Sequence, residues 1–302
     1  TFSIINNNKL PIRSFHLAEG PGGFIEATAF SRKNPLDTYY GMTLIDENNK
    51  YIPGWNKCDN FLKNNKNVII ERGVDGTGNL YNVNNYEHCI NKYKNSMNII
   101  TGDGGFDFSI DYNRQEAMSV RLILTQIIYA ITMQKKGGVF ILKMFDLFLK
   151  PSSQIIYLLS TFYEKNFIIK PNTSRYANSE KYIVCLNFKY EDTYYIQNKF
   201  KNVLNQLNHI DFEKKSIESI LNIPMHIYFT SNLQEINCIL GNQQMENILN
   251  TIKLILNKDK KNEKFESIKS NNIQKCIKWC VKNNIPYNQM DIDHKNIFLK
   301  KS

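Results

Sequence analysis

Paired cysteines are missing from this chain. Its six thiols, at positions 58, 89, 185, 238, 276 and 280, form no CxxC pair and no Cys/His cluster at zinc-ligand spacing. That excludes a zinc-finger module and a disulfide-stapled secreted scaffold, and no metal site is expected. Cys276 and Cys280 stand four apart on one helical face, so a metal or redox pair there stays open. Buried free thiols in a reducing compartment are the simpler reading. Long apolar runs are also missing: none approaches the ~18 residues of a membrane span, and no membrane partner is expected. Residues 1–10 are polar and carry no signal-peptide stretch. The chain opens on Thr1 and is read as a fragment. Acidic residues are too few to balance the basic ones, 28 Asp and Glu against 38 Lys and Arg, leaving a formal charge of +10. Such a surplus favours an anionic partner, nucleic acid before membrane surface. Hydrophobic residues at 42% against 22% charged exclude a disordered chain.

What is present is an alternation of strand and helix patterns. Strands are predicted at residues 12–18 (IRSFHLA), 39–44, 67–71 (NVIIE), 97–102 (MNIITG), 139–143 (VFILK), 167–170 and 182–187 (YIVCLN). Helices are predicted at 24–30, 86–94, 113–134 and 154–163, with Gly137-Gly138 ending the long one. Repeated βα units of this kind predict an open, mostly parallel sheet of about seven strands with helices on both faces. After about residue 195 the chain gains Asn and Lys and loses Gly. Helices are predicted there at 197–207, 245–256 and 273–283, with a short strand-like piece at 225–229 and a charged linker at 257–264. The domains expected are therefore 1–195 and a mainly helical extension, 196–302.

Four features could carry chemistry. The turn Glu19-Gly20-Pro21-Gly22-Gly23 follows a strand and opens a helix, where glycines let backbone approach a ligand. In a doubly wound sheet that turn lies at the carboxyl edge, where cofactors bind. It is not GxGxxG and lacks a P-loop Lys; a plain tight turn would read the same way. Asp103 ends the fourth strand ahead of two glycines, as a site carboxylate or an Asp-Gly turn residue would. Lys143 closes an apolar strand, a costly place for a charge unless it faces a cleft, a partner or water. Glu180 sits in the polar loop TSRYANSEK, which a solvated hairpin would also explain. Asp, Lys and Glu on one sheet edge suit a hydroxyl-directed reaction, with Lys orienting the hydroxyl or accepting its proton and the carboxylates holding the Lys.

The blocks FHLAEGPGGFIEA, YYGMTL, GVDGTGNL, ITGDGGFDF, GGVFILKMFDLF and KPNTSRYANSEKYIVC, spread in order over residues 12–188, resemble the FtsJ-like (RrmJ-type) S-adenosylmethionine-dependent RNA 2′-O-methyltransferases. Within that superfamily they are most similar to the cap-1 mRNA (nucleoside-2′-O-)-methyltransferases of eukaryotes and large DNA viruses. The resemblance implies a Rossmann-like methyltransferase fold over 1–195 and S-adenosyl-L-methionine as cofactor. The cofactor would lie on Ala18, Glu19, Gly20, Pro21, Gly22, Gly23, Phe24 and Asp103, with Asn79 and Leu80 flanking its adenine. Many relatives carry Asp where this chain has Asn79. Asp103, Lys143 and Glu180 match the last three members of a Lys-Asp-Lys-Glu tetrad. Asn113, Arg114, Gln115, Glu116 and Asn178 match RNA-contacting positions. The tetrad's first Lys belongs to a helix upstream of the first strand; Lys9, in an Asn-rich stretch, is not assigned to it, and the matching Lys is expected before Thr1. The implied function is methyl transfer to the 2′-OH of the first transcribed nucleotide of capped mRNA. Capping or transcription machinery would be its partners, and its setting intracellular: nucleus, cytoplasm or a viral factory. Alternatives are an FtsJ-like enzyme acting on ribosomal RNA, a catalytically inactive RNA-binding subunit and, more distantly, a dinucleotide dehydrogenase.

Overall fold

The structure, a computed structural model, describes residues 10–46, 48–49, 52–55, 58–106, 111–212, 215–257, 262–285 and 287. Lys9 lies outside the described residues.

Seven strands form one sheet: β1 (Arg13–Leu17), β2 (Thr38–Met42), β3 (Val68–Ile70), β4 (Met97–Gly102), β5 (Gln134–Met144), β6 (Tyr163–Ile169) and β7 (Lys181–Phe188). Their spatial order is β3-β2-β1-β4-β5-β7-β6. Six strands run one way, and β7 alone runs antiparallel to its neighbours β5 and β6. The order reverses beside β1, so the crevice for a ligand opens at the carboxyl ends of β1 and β4. Because β7 is reversed, its first residues arrive at that same edge.

Side chains alternate across the strands and build two cores. Tyr40 and Met42 enter the larger core, which α3 (Val83–Tyr93), α4 (Gln115–Met133), α5 (Lys150–Phe162) and α6 (Tyr194–Asn208) cover. Tyr39, next to Tyr40 and on the opposite face, enters the smaller core with Ile25 of α1 (Gly23–Arg32), Trp55 and Cys58; Phe61 and Leu62 of α2 (Asp59–Asn64) pack against it. Helices therefore lie on both faces. The segment Tyr112–Met133 is long and apolar enough to cross a membrane, but most of it is buried as the central core helix.

Several elements differ from the sequence reading. The long helix ends at Met133, and Gly137 and Gly138 belong to β5. The buried Gln134 turns the chain: its Nε2 donates to the carbonyls of Met97 (2.9 Å) and Asn98 (3.3 Å), and its Oε1 accepts from the Tyr163 hydroxyl. The β4–β5 register then shifts from Met97↔Gln134 to Ile99↔Val139. The strand-like residues 225–229 lead into α7 (Ile227–Leu256); five apolar and aromatic residues are too few to show a period. Of the linker expected at 257–264, Asn257 follows α7 and residues 262–264 open α8 (Asn262–Lys282), while 258–261 lie outside the described residues. Cys58, Cys89 and Cys185 are buried as expected, whereas Cys238 and Cys276 are exposed and Cys280 half-buried.

The chain divides into two compact units, Thr1–Gln244 and Met245–Ser302, so the structure's boundary falls well past residue 195. The reason is packing beyond β7. In α6, Phe200, Leu204 and Leu207 are buried in the larger core, and Lys201 Nζ meets Glu87 Oε1 at 2.5 Å. Leu233 of α7 joins the same core. In the second unit the helices expose Met245, Leu249, Ile252 and Phe265.

Candidate active site

The first site element is the turn after β1. Ala18 and Gly22 both take left-handed backbone, at φ 51 and φ 111; the penalty at a non-glycine residue such as Ala18 is typical of ligand-clamping segments. Gly20 is required by close approach. A Cβ there would stand 2.5 Å from the Gly54 carbonyl oxygen and 3.0 Å from Thr43 Cγ2. Glu19 is nearly buried, and its Oε1 accepts from the amides of Phe24 (2.5 Å) and Ile25 (3.1 Å) at the start of α1. Its Oε2 is buried without a partner among the described residues. Burial first, and Asp103 to a lesser extent, push this carboxyl up to about 8, against the opposing pull of the two amides and Lys143.

That shift sets a pH dependence. A carboxyl whose pKa rises on folding keeps a proton that the unfolded chain releases, so stability falls as pH climbs from about 4.5 to about 8. Glu19→Gln keeps an acceptor for both amides and removes the charge. Urea unfolding at pH 5, 6.5 and 8 should show the Gln variant gaining on the parent at each step; a constant difference would count against a buried proton on Glu19.

The second element gathers at the ends of β4, β5 and β7. Lys143 Nζ lies 3.3 Å from Asp103 Oδ1. The Tyr182 hydroxyl bridges the two acids, 3.2 Å from Asp103 Oδ1 and 2.7 Å from Glu180 Oε1. Lys143 and Tyr182 are cross-strand partners in the β5–β7 ladder, which puts them on one face. Burial raises the Asp103 carboxyl above its ordinary value, with Lys143 and Tyr182 opposing. Burial, then the Asp103 charge, push the Tyr182 phenol far up, so it stays a proton donor. A Cβ on Gly105 would stand 3.3 Å from Lys143 Nζ, so the glycine leaves the ammonium its space. Gly104 N donates to Gln126 Oε1 at 3.0 Å, tying this loop to α4.

Two lysines fasten the loop that carries Glu180. Lys170 Nζ donates to the carbonyls of Asn178 (2.7 Å) and Glu180 (2.7 Å) and to Asn178 Oδ1 (2.5 Å). Burial, then the charge of Lys181, lower it to about 8. Lys181, on the opposite pleat from Tyr182, is buried and donates to Asp146 Oδ1 and the Ser179 carbonyl, each at 2.9 Å.

The structure thus brings Asp103, Lys143 and Glu180 into one cluster beside the turn of residues 18–24. Leu80 is buried in the larger core. Asn79 Oδ1 accepts from the Tyr81 amide at 2.9 Å, which leaves its Nδ2 for a ligand. The RNA candidates separate. Asn113 and Arg114 are exposed. Gln115 Oε1 accepts from the Ser179 hydroxyl (2.5 Å), buried Glu116 holds the Leu149 amide through Oε1 (2.8 Å), and Asn178 is bound to Lys170. These three build the wall of the site. Sequence reasoning missed Tyr182, Lys170, Lys181 and Gln126; the Lys-Tyr pair after Glu180 in YANSEKY was the available signal for two of them. His16, inside the first motif block, is fully buried between Ser14 Oγ (2.9 Å) and Thr101 Oγ1 (2.8 Å). Burial lowers it to about 3, and it links β1 to β4 as a neutral ring.

A seven-stranded sheet with one reversed strand, a glycine turn after β1 and a Lys–carboxylate cluster beside it define a methyltransferase of the Rossmann-like class. The chain belongs to the FtsJ-like methyltransferase family, whose sequence profile matches residues 1–188. It is 35% identical over 175 residues to the mouse cap-specific mRNA (nucleoside-2′-O-)-methyltransferase 1, covering 56% of this chain and 20% of that protein. It is 37% identical over 118 residues to the enzyme of the same name from Trypanosoma cruzi, covering 38% and 33%. Against the Drosophila melanogaster cap-specific mRNA (nucleoside-2′-O-)-methyltransferase 2 it is 29% identical over 194 residues, covering 60% and 27%. The chain thus spans between a fifth and a third of the length of these curated relatives.

Proposed function

We propose that this chain carries the methyl-transfer site of an mRNA cap 2′-O-methyltransferase, using S-adenosyl-L-methionine on the first transcribed nucleotide of capped mRNA. The observation that carries it is the Lys143–Asp103–Tyr182–Glu180 cluster beside the turn of residues 18–24.

The turn fits the cofactor. The unpartnered, buried Glu19 Oε2 suits a cationic ligand, and S-adenosyl-L-methionine carries an ammonium and a sulfonium. Gly20 packs against the Gly54 carbonyl and Thr43 with no room for a side chain, which fixes the shape of the turn that would hold the cofactor. When bound, the cofactor supplies an activated methyl group. Glu19, the turn and Asn79 Nδ2 would hold it, and Asp103 stands at the junction with Lys143. Asp103 fixes the Lys143 amine, and Tyr182 fixes Asp103 relative to Glu180. Lys143 in turn orients the ribose 2′-OH and, in its neutral form, takes its proton as the oxygen gains the methyl. Much of the rate then comes from alignment of the hydroxyl, because the cluster is already assembled.

The test is methyl transfer to short RNAs. Transfer is expected with a methylated guanosine cap, and a 2′-deoxy nucleotide at the first position should block it, because the acceptor oxygen is gone. Equal transfer to capped and uncapped RNA would favour the ribosomal-RNA reading. Tight RNA binding with no transfer, in a longer protein that carries the upstream Lys, would favour the inactive subunit.

A further inference from the structure

Three segments meet beside Lys143. Residues 111–116 are joined to the Glu180 loop by the Ser179–Gln115 hydrogen bond (2.5 Å), and to the end of the β5 loop by the Leu149–Glu116 hydrogen bond (2.8 Å). Each segment exposes an aromatic ring within three residues of these bonds: Tyr112 (70% exposed), Phe148 (63%) and Tyr176 (36%). Each also exposes a cation: Arg114, Lys150 and Arg175. No ion pair holds any of the three among the described residues. The nearby acids hold other partners: Asp111 the Asn113 amide, Glu116 the Leu149 amide, Asp146 Lys181, and Asp103 and Glu180 the cluster.

Exposed large rings next to unpaired cations are poorly explained by stability, since the rings bury little and the cations repel. Single-stranded nucleic acid matches both: its bases stack on aromatic faces and its phosphates neutralise the cations. Beyond Phe148 the surface continues into an open cavity of about 330 Å³ bounded by Lys150, Gln154 and the 219–225 loop, so the track does not end at the site. We infer that Tyr112, Phe148 and Tyr176, with Arg114, Lys150 and Arg175, form a base-stacking track for the single-stranded RNA that follows the methylated nucleotide. The inference rests on the reading of the chain as acting on capped RNA, and it adds where the rest of that RNA lies. The track takes RNA by stacking and charge, with no base identity read.

The experiment is binding, not transfer, so the two readings can fail separately. A fluorescein-labelled capped 12-nucleotide RNA is titrated by anisotropy, alongside the same RNA with abasic riboses at the second to fourth positions. The abasic RNA should bind at least tenfold more weakly. Tyr112→Ala, Phe148→Ala and Tyr176→Ala should each weaken the intact RNA about tenfold while hardly changing the abasic one, with thermal unfolding unmoved. Arg175→Ala or Lys150→Ala should lower the slope of log affinity against log salt by about 0.7, whereas the ring variants should leave that slope alone. Intact and abasic RNAs binding alike would overturn the track, as would duplex RNA of the same length binding as tightly as the single strand. Failure of transfer with this binding pattern intact would overturn the methyltransferase reading only.

Discussion

Replacing Lys143 by Ala should lower methyl transfer to capped RNA at least a thousandfold relative to the unsubstituted protein, roughly 4 kcal/mol of barrier. Among the described residues Lys143 is the only amine in the cluster: Asp103 lies 3.3 Å away, Tyr182 is its cross-strand neighbour, and Lys181 points to the other pleat. No described side chain stands in reserve to orient the 2′-OH. Affinity for S-adenosylhomocysteine, read by calorimetry, should change far less, because the cofactor turn is held by Glu19, Gly54 and Thr43. Lys143→Arg should not restore transfer, since a guanidinium keeps its proton. Transfer within about tenfold of the parent, ~1.4 kcal/mol, would remove Lys143 from the mechanism.

The largest expected effect on stability lies away from the chemistry, where Asp37 opens β2. Its side chain is fully buried and accepts from Arg32 Nε (2.7 Å), Arg32 Nη2 (3.0 Å), the Tyr39 hydroxyl (2.9 Å) and the Ile12 amide (2.9 Å). The Arg32 side chain is only 4% exposed. Asp37→Ala leaves a buried guanidinium, a phenol and an amide without their acceptor. Removing one partner of a buried pair costs about 3–5 kcal/mol, which should lower the thermal midpoint by roughly 10 °C. Asp37→Asn, which keeps acceptor capacity, should lose less. A loss under about 1 kcal/mol for the Ala variant would mean the pair is solvated. The pH dependence follows from the sign of the shift. Hydrogen bonds from Arg32, Ile12 and Tyr39 outweigh the burial of Asp37 and hold its carboxyl below the ordinary value. Its stabilisation is complete above the ordinary carboxylate range and fades as pH falls through the depressed pKa.

Asp37 and Arg32 show where sequence reading stops. Both look like surface residues of a helix end and a turn, and only the fold reveals that both are buried. Strand ends were legible because a charged or glycine residue breaks an apolar run, as at Asp103 and Lys143. The glycine turn was legible for the same reason. The Tyr182 bridge was not, because it exists only once β7 reverses and pairs Tyr182 with Lys143. Gln134 was hidden within an apolar helix pattern; its role depends on carbonyls of Met97 and Asn98 that are far off in sequence. Gln115, Glu116 and Asn178 were found as motif residues, but their hydrogen bonds show them shaping the wall.

The reversed β7 has a consequence for how this chain tolerates insertions and deletions. Tyr182 meets Lys143 by ladder register, and the 171–178 loop ahead of it is spanned by Lys170, which grips Asn178 and Glu180 directly. Added residues near Asn172 and Thr173 would bulge into solvent and leave both anchors seated. One residue lost from β7 between Lys181 and Ile183 would instead turn the strand over. Ile183, fully buried now, would stand opposite Lys143, and Tyr182, the residue lost, would no longer bridge Asp103 and Glu180. Length variation among natural or designed versions of this hairpin should therefore collect ahead of Asn178 and stop sharply at Glu180.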